Sequence, residues 1–168
     1  MLIRAAVAVV AVLAASAASA KAPTLESLQG DVTVVAFFST ACAPCKAELP
    51  MVEALRASLA GDARVRVVTV SVDDRRDATR ARTLARKLGV TAPVLVDARA
   101  YAALFGGGEL AVPRLAVIDR KRGGLERRGA RAGETRDDFV REVTAAIASV
   151  EAGAPAPPTP MWQLLGRR

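Results

Sequence analysis

The chain contains no histidine, only two cysteines and few aromatic residues. A structural zinc site needs four ligands, so two cysteines without histidine would need carboxylates or a second subunit to complete it. A copper site that depends on histidine is excluded for the same reason. We therefore expect no metal and no cofactor. Aromatic residues make up 4% of the chain, which predicts a core built mainly from alanine, valine and leucine.

The 168 residues are 52% hydrophobic, which is enough for one compact domain with its own core. The formal net charge is +7. The basic residues alternate with apolar ones and form no long run, which favours solvated helix faces over nucleic-acid binding. Attraction to acidic partners or to an anionic membrane surface stays an alternative.

Residues 1–20 have the pattern of an export signal. Arg4 supplies the positive charge, residues 5–15 are apolar, and residues 18–20 are the small residues that favour cleavage. We expect cleavage after Ala20 and a periplasmic mature protein that begins at Lys21. An uncleaved N-terminal membrane anchor is the alternative. Export would place the cysteines in an oxidising compartment, where a disulfide persists.

Both cysteines lie in a Cys-Ala-Pro-Cys motif, Cys42 to Cys45, that follows the apolar β-type run 32–38. A helix is predicted to begin at this motif, with Ser39 or Thr40 as its cap. At a helix N-terminus the dipole and free N–H groups favour a thiolate, so the pKa of Cys42 is expected below the free value of about 8.5. Cys45 would then resolve a mixed disulfide on Cys42. A purely structural disulfide is the alternative, although so short a loop stabilises a fold poorly.

Apolar periodicity and turn residues predict the remaining elements of a domain over residues 21–151. They are a helix over 42–60, a strand over 65–72, a helix after Asp77, a strand over 94–96, a helix over 98–105, strands over 114–119 and 125–130, and a helix after Thr135. Residues 152–168 form a proline-rich linker and a tail that contains Trp162. The tail is interpreted either as a strap over the surface or as a disordered or partner-docking segment.

With these elements in order, the chain resembles thioredoxin-fold proteins, and among them the exported TlpA/ResA-type thiol–disulfide oxidoreductases. The resemblance covers about residues 24–150. It depends on the Cys-X-X-Cys motif after a strand, Pro50 in the following helix, the Val-Ser-Val-Asp strand end at 70–73, the segment around 92–105 and the Val112-Pro113 pair. It implies an α/β thioredoxin-like fold with a central mixed β-sheet flanked by helices and a β-α insertion.

The resemblance also implies a cis bond before Pro113, with this proline beside the redox pair. The backbone of Val112 would then pair with an extended substrate peptide. The alternative is an ordinary proline at the start of a strand. Pro44 lies between the cysteines and stiffens the loop.

Glu48 matches the glutamate of a Cys-X-X-Cys-X-X-Glu pattern in these proteins, which implies proton exchange with the Cys45 thiol. An exposed helix acid is the alternative interpretation. The chain departs from its relatives at two positions. Ala36 stands where thioredoxins bury an acid, which strengthens the case for Glu48. Ala41 stands where a tryptophan usually precedes the first cysteine, which opens the substrate groove beside Cys42.

The resemblance thus implies an exported enzyme that reduces disulfides of exported proteins, including apocytochrome c, with electrons from a membrane thiol donor. We expect a monomer. A disulfide oxidase of the same fold and a redox-inert binding module are alternatives. A peroxiredoxin is disfavoured, because Val35 stands where those proteins have a proline, although Ser39 fits their pattern.

Overall fold

A computed structural model describes residues 24–105, 110–120, 123–128, 131 and 133–153. The segments predicted as an export signal and, from residue 154, as a tail lie outside these residues. The strands are β1 Val32–Phe38, β2 Val65–Ser71, β3 Val94–Val96, β4 Arg114–Asp119 and β5 Gly123–Arg128. The helices are α1 Ala43–Ser58, α2 Ala78–Lys87, α3 Ala98–Phe105 and α4 Arg136–Glu151. Among the described residues, no helix combines the length and apolar character needed to cross a membrane.

The five strands form one mixed sheet in the order β3-β2-β1-β4-β5. The neighbours β1, β2 and β3 are parallel, whereas β4 runs antiparallel to β1 and β5 antiparallel to β4. Every residue of β1 is buried, as its continuous apolar sequence predicts for a central strand. The predicted mixed sheet flanked by helices is confirmed.

The side chains of β1 alternate between two apolar layers. Val34 and Ala36 pack in a cluster with residues of α1 and α4. Val35 and Phe37 face the opposite side and pack with Leu95 and with Tyr101 of α3. This alternation is the pleat of a strand that is covered by helices on both faces.

A third apolar cluster joins the N-terminal part of α1 to α2. Cys45 and Leu49 pack there with Phe38 from the end of β1 and with Ala81 and Ala85 of α2. The cluster positions the start of α1 relative to α2.

Several predicted boundaries are confirmed and others are wrong. Thr135 caps α4 and accepts a hydrogen bond from the Asp138 N–H, and Gly89 follows α2 with a φ of 77°. Asp77 precedes α2, but its side chain makes no capping hydrogen bond. β5 begins at Gly123, two residues earlier than predicted, because Gly123 and Gly124 pair with β4 instead of forming the turn.

Candidate active site

A disulfide joins Cys42 and Cys45 at the N-terminus of α1, with their Cα atoms 5.3 Å apart. Cys42 itself is the cap of the helix, because its Sγ accepts a hydrogen bond of 3.1 Å from the Cys45 N–H. The predicted capping by Ser39 or Thr40 is therefore wrong. This hydrogen bond points the Cys45 N–H at the sulfur of Cys42, which would carry the negative charge in the reduced protein.

The two sulfurs differ in accessibility. Cys45 is 1% exposed, within the cluster between α1 and α2, whereas Cys42 is partly exposed. Ala41, Ala43 and Pro44, the sequence neighbours of Cys42, are small and exposed. An external thiol or disulfide can therefore reach Cys42 and not Cys45. This asymmetry agrees with Cys42 as the attacking cysteine and Cys45 as the resolving one.

The loop before β4 brings a distant backbone carbonyl to the disulfide. The Val112–Pro113 peptide bond is cis, so the alternative of an ordinary strand-start proline is wrong. The carbonyl oxygen of Val112 lies 3.5 Å from the Cys42 Sγ. Val112 and Pro113 are both partly exposed. The structure thus places the predicted substrate-binding residues beside the reachable sulfur.

Tyr101 holds this loop in place, and sequence reasoning missed it. Its hydroxyl donates to the carbonyl oxygen of Ala111 and accepts from the Ala111 N–H, both at 3.1 Å. The Arg114 guanidinium donates to the same hydroxyl at 2.8 Å. The ring is 1% exposed and packs edge-on against Phe37. The available signal was that this is the only tyrosine of the chain, in a helix that leads toward the Val112-Pro113 pair.

Asp73 holds the loop that leads into Cys42. Its carboxylate accepts hydrogen bonds from the Ser39 hydroxyl at 2.6 Å, the Thr40 N–H at 2.9 Å and the Ser71 hydroxyl at 2.7 Å. Burial alone raises the pKa of Asp73, but these hydrogen bonds outweigh it and hold the pKa below its usual value. The sequence marked Asp73 only as a strand end. We assign it a positioning role, because it touches the loop and not the sulfurs.

Glu48 is 2% exposed, so the interpretation as an exposed helix acid is wrong. It lies three residues after Cys45 on α1, which places the two side chains on the same face of the helix. Ala36 is also buried, and β1 therefore contributes no acid at that position. The proton-exchange role of Glu48 stays a prediction. Within the described residues, no group of three or more cysteine or acidic side chains is placed to hold a metal ion.

Thiol–disulfide exchange requires one sulfur that a partner can reach and a second that can displace the partner from it. Cys42 and Cys45 meet both requirements at the first turn of a helix that follows the central strand. The protein is therefore a thiol–disulfide oxidoreductase with a thioredoxin-like fold. The sequence profile of the AhpC/TSA family matches residues 8–123, more than half of the chain, and the chain belongs to this family.

Solved structures support this assignment. The dsbF protein of Mycobacterium tuberculosis is 29% identical, with a TM-score of 0.54 over 71% of this chain and 84% of that chain. A thiol:disulfide interchange protein of the thioredoxin family from Chlorobium tepidum is 25% identical, with a TM-score of 0.53 over 73% and 83%. A thioredoxin-related protein from Neisseria meningitidis shares the fold at 18% identity, with a TM-score of 0.58 over 77% and 92%. No curated protein sequence matches the chain significantly.

Proposed function

We propose that this protein is an exported reductase of the TlpA/ResA type that reduces disulfides in exported proteins. The observation that carries the proposal is the environment of the Cys42 sulfur. It is reachable, it receives one backbone N–H from Cys45, and it faces the Val112 carbonyl oxygen.

The reaction needs two exchange steps. The Cys42 thiolate of the reduced protein attacks one sulfur of a substrate disulfide, so that a mixed disulfide forms and a substrate thiolate leaves. The Cys45 thiolate then attacks the Cys42 sulfur and releases the second substrate thiol. Before this attack, Glu48 accepts the proton of the Cys45 thiol and so leaves the thiolate. Two electrons pass to the substrate, and a membrane dithiol returns them by reducing the Cys42–Cys45 disulfide while it becomes a disulfide itself.

The direction of electron flow depends on how strongly the reduced form is stabilised. Strong oxidants of this kind have a stabilised reduced state, and helix N-termini contribute to that stabilisation. Here the Val112 carbonyl oxygen, 3.5 Å from the Cys42 Sγ, carries partial negative charge and opposes a thiolate. A neutral thiol could donate a hydrogen bond to it instead. This carbonyl contact is the structural basis on which we propose a reductant and not an oxidase.

The proposed location and partners derive from the sequence and the class of enzyme. The signal pattern over residues 1–20 supports export to the periplasm. The substrates are then oxidised exported proteins, among them apocytochrome c. Cys42 would attack them beside Val112, whose backbone would pair with an extended peptide.

The decisive measurement is the midpoint potential of the Cys42–Cys45 couple in graded thiol–disulfide buffers. We expect a value near that of thioredoxin, about −270 mV. A value near about −120 mV would make the protein an oxidase and would overturn the direction of electron flow.

Trapping experiments separate the enzyme from an inert binding module. Cys45→Ser should accumulate a mixed disulfide with an oxidised protein substrate, because the resolving thiol is missing. Cys42→Ser is the matched control and should form none, because the remaining thiol is buried. Equal trapping by both variants would contradict the assigned roles. Consumption of hydrogen peroxide at a rate that exceeds disulfide reduction would instead indicate a peroxidase.

Export is tested by expressing the whole chain in a bacterium with a periplasm and fractionating the cells. We expect a periplasmic product whose N-terminus is Lys21. A membrane-bound product that retains Met1 would support the uncleaved anchor. A cytoplasmic product would refute export.

A further inference from the structure

A groove with a volume of about 550 Å³ lies between the start of α1 and the outer face of α2. We call it the basic groove. Its lining combines four cationic side chains with one acid, three threonines and one leucine. They are Lys46, Arg76, Arg80, Lys87, Asp77, Thr40, Thr79, Thr83 and Leu84.

The basic groove runs along α2 and is bordered on its other side by residues close to Cys42 in the sequence. Arg80, Thr83, Leu84 and Lys87 have the spacing of one helical stripe. The neighbouring stripe, Ala81 and Ala85, packs against Cys45, as part of the cluster that holds α2 against α1. At the other side of the groove, Thr40 and Lys46 flank Cys42 in the sequence by two and four residues. The groove therefore borders the segment that carries the reachable sulfur.

The cations of the basic groove are poorly compensated. Among the described residues, no ion pair joins Lys46, Arg80 or Lys87 to a carboxylate. Arg76 pairs with Asp74 at 3.0 Å, but both side chains are mostly exposed, at 84% and 70%. Asp77 is the one acid in the lining. The groove consequently has a net positive charge beside the disulfide.

We propose that the basic groove binds an acidic peptide segment of the substrate protein, next to the substrate cysteine that reacts with Cys42. Charge complementarity selects the occupant, because uncompensated cations in a concave site raise the local concentration of anionic groups. The exposed Thr79 hydroxyl offers a further hydrogen bond, and Leu84 offers a limited apolar contact. The proposal names the substrate class of the same redox site and rests on the proposed function. In this proposal, α2 selects which exported proteins react at Cys42.

A peptide suits the groove better than a membrane surface does. A lipid bilayer contacts a broad basic face, whereas these cations line one open groove of about 550 Å³. The position beside Cys42 also serves a chain that carries a disulfide. The Val112 carbonyl oxygen, 3.5 Å from the Cys42 Sγ, is a second backbone contact available to a peptide at this sulfur.

The test compares disulfide-containing peptides whose flanking residues are acidic, neutral or basic and which are otherwise identical. The readout is the ratio of second-order exchange rate constants, acidic over neutral, for the purified full-length protein. The test variant is Arg80→Gln with Lys87→Gln. The control is Arg82→Gln with Arg99→Gln, which removes the same charge from two exposed arginines outside the groove.

We expect the wild-type protein to prefer the acidic peptide and the test variant to lose about three- to tenfold of that preference. The control should retain it. High ionic strength should reduce the wild-type ratio, because screening shortens the range of charge interactions to about 3 Å at 1 M salt. The ratio cancels general losses of folding or redox activity, since both peptides report them equally.

Three results would overturn the proposal. They are no acidic preference in the wild-type protein, equal losses in the test and control variants, or groove-dependent binding to anionic phospholipid vesicles without any peptide preference. The midpoint potential is measured in parallel. If the protein proves to be an oxidase, the same ratio is measured with reduced peptides. The groove and the direction of electron flow can therefore fail independently.

Discussion

Replacing Asp73 by alanine should loosen the loop that carries Cys42. The change removes the acceptor of three hydrogen bonds, from the Ser39 hydroxyl, the Thr40 N–H and the Ser71 hydroxyl. Ser71 is fully buried and Thr40 is 5% exposed, so water replaces the lost acceptor poorly. Each hydrogen bond to a charged group contributes about 1.5–3 kcal/mol, but Asp73 is itself partly solvated and the bonds are not additive. We therefore expect a loss of about 3 kcal/mol in the free energy of unfolding.

The loss should depend on pH with a definite sign. The folded-state pKa of Asp73 is below its unfolded value of 3.8. The ionised carboxylate therefore contributes its full stabilisation above pH 3.8, and this contribution is lost as the pH falls through the folded-state pKa. The difference between the wild-type protein and Asp73→Ala should be greatest at neutral pH and should shrink below pH 3.8. Asp73→Asn should retain part of the stability, because its amide oxygen still accepts hydrogen bonds.

The assay is urea unfolding followed by circular dichroism at neutral and acidic pH, together with the rate of exchange with a protein disulfide. Asp74→Ala is the matched control, because the neighbouring acid is 70% exposed and pairs only with an exposed arginine. It should change stability by less than about 0.5 kcal/mol. Equal losses for the two variants, or a loss from Asp73→Ala that does not vary with pH, would refute the positioning role of Asp73.

Three further substitutions probe the same site and its support. Tyr101→Phe should lower the free energy of unfolding by about 1–2 kcal/mol, because it removes the hydroxyl that hydrogen-bonds Ala111 and Arg114. Thermal unfolding measures this loss, and exchange with protein disulfides should become slower. Glu53→Gln should lower the free energy of unfolding by about 1–2 kcal/mol at neutral pH. Burial raises the pKa of Glu53, but hydrogen bonds from Arg56 and residues 91–92 lower it to about 2, so this cost should fade as the pH drops from 4.5 toward 2 in acid unfolding curves. Glu48→Gln should slow release of the mixed disulfide about tenfold or more and change its pH profile, as seen by stopped-flow kinetics.

For each of these three substitutions, one result would contradict the role that we assign to the residue. Tyr101→Phe with unchanged stability would mean that the loop before Pro113 is held by packing alone. A constant stability difference between pH 4.5 and 2 would show that Glu53 acts through shape and not charge. An unaltered pH profile in Glu48→Gln, with only stability reduced, would assign Glu48 a structural role. In that case Glu48→Asp, which keeps a carboxylate, should be no faster than Glu48→Gln in any kinetic step.

The sequence by itself determined the strands and helices of the domain and the position of the redox pair. The short run 32–38, rich in β-branched and aromatic residues, favours a buried strand, and the Cys-Ala-Pro-Cys motif follows a few residues later. Local hydrophobic period, turn residues and the spacing of two cysteines carry this information, because each depends on residues close together in the chain. Boundaries such as the start of β5 were wrong by two residues, since the pairing of Gly123 with Asp119 is decided by the partner strand.

The resemblance to a known family implied that Val112 and Pro113 lie beside the redox pair, but only the tertiary structure decided the contacts that the distant groups make there. Val112 lies 70 residues from Cys42, and Asp73 lies 34 residues from Ser39, yet each makes a contact that defines the site. The burial of Glu48 and the meeting of Lys46 with α2 in the basic groove have the same origin. Such contacts depend on how the helices pack on the sheet, and no local pattern in the sequence encodes that packing.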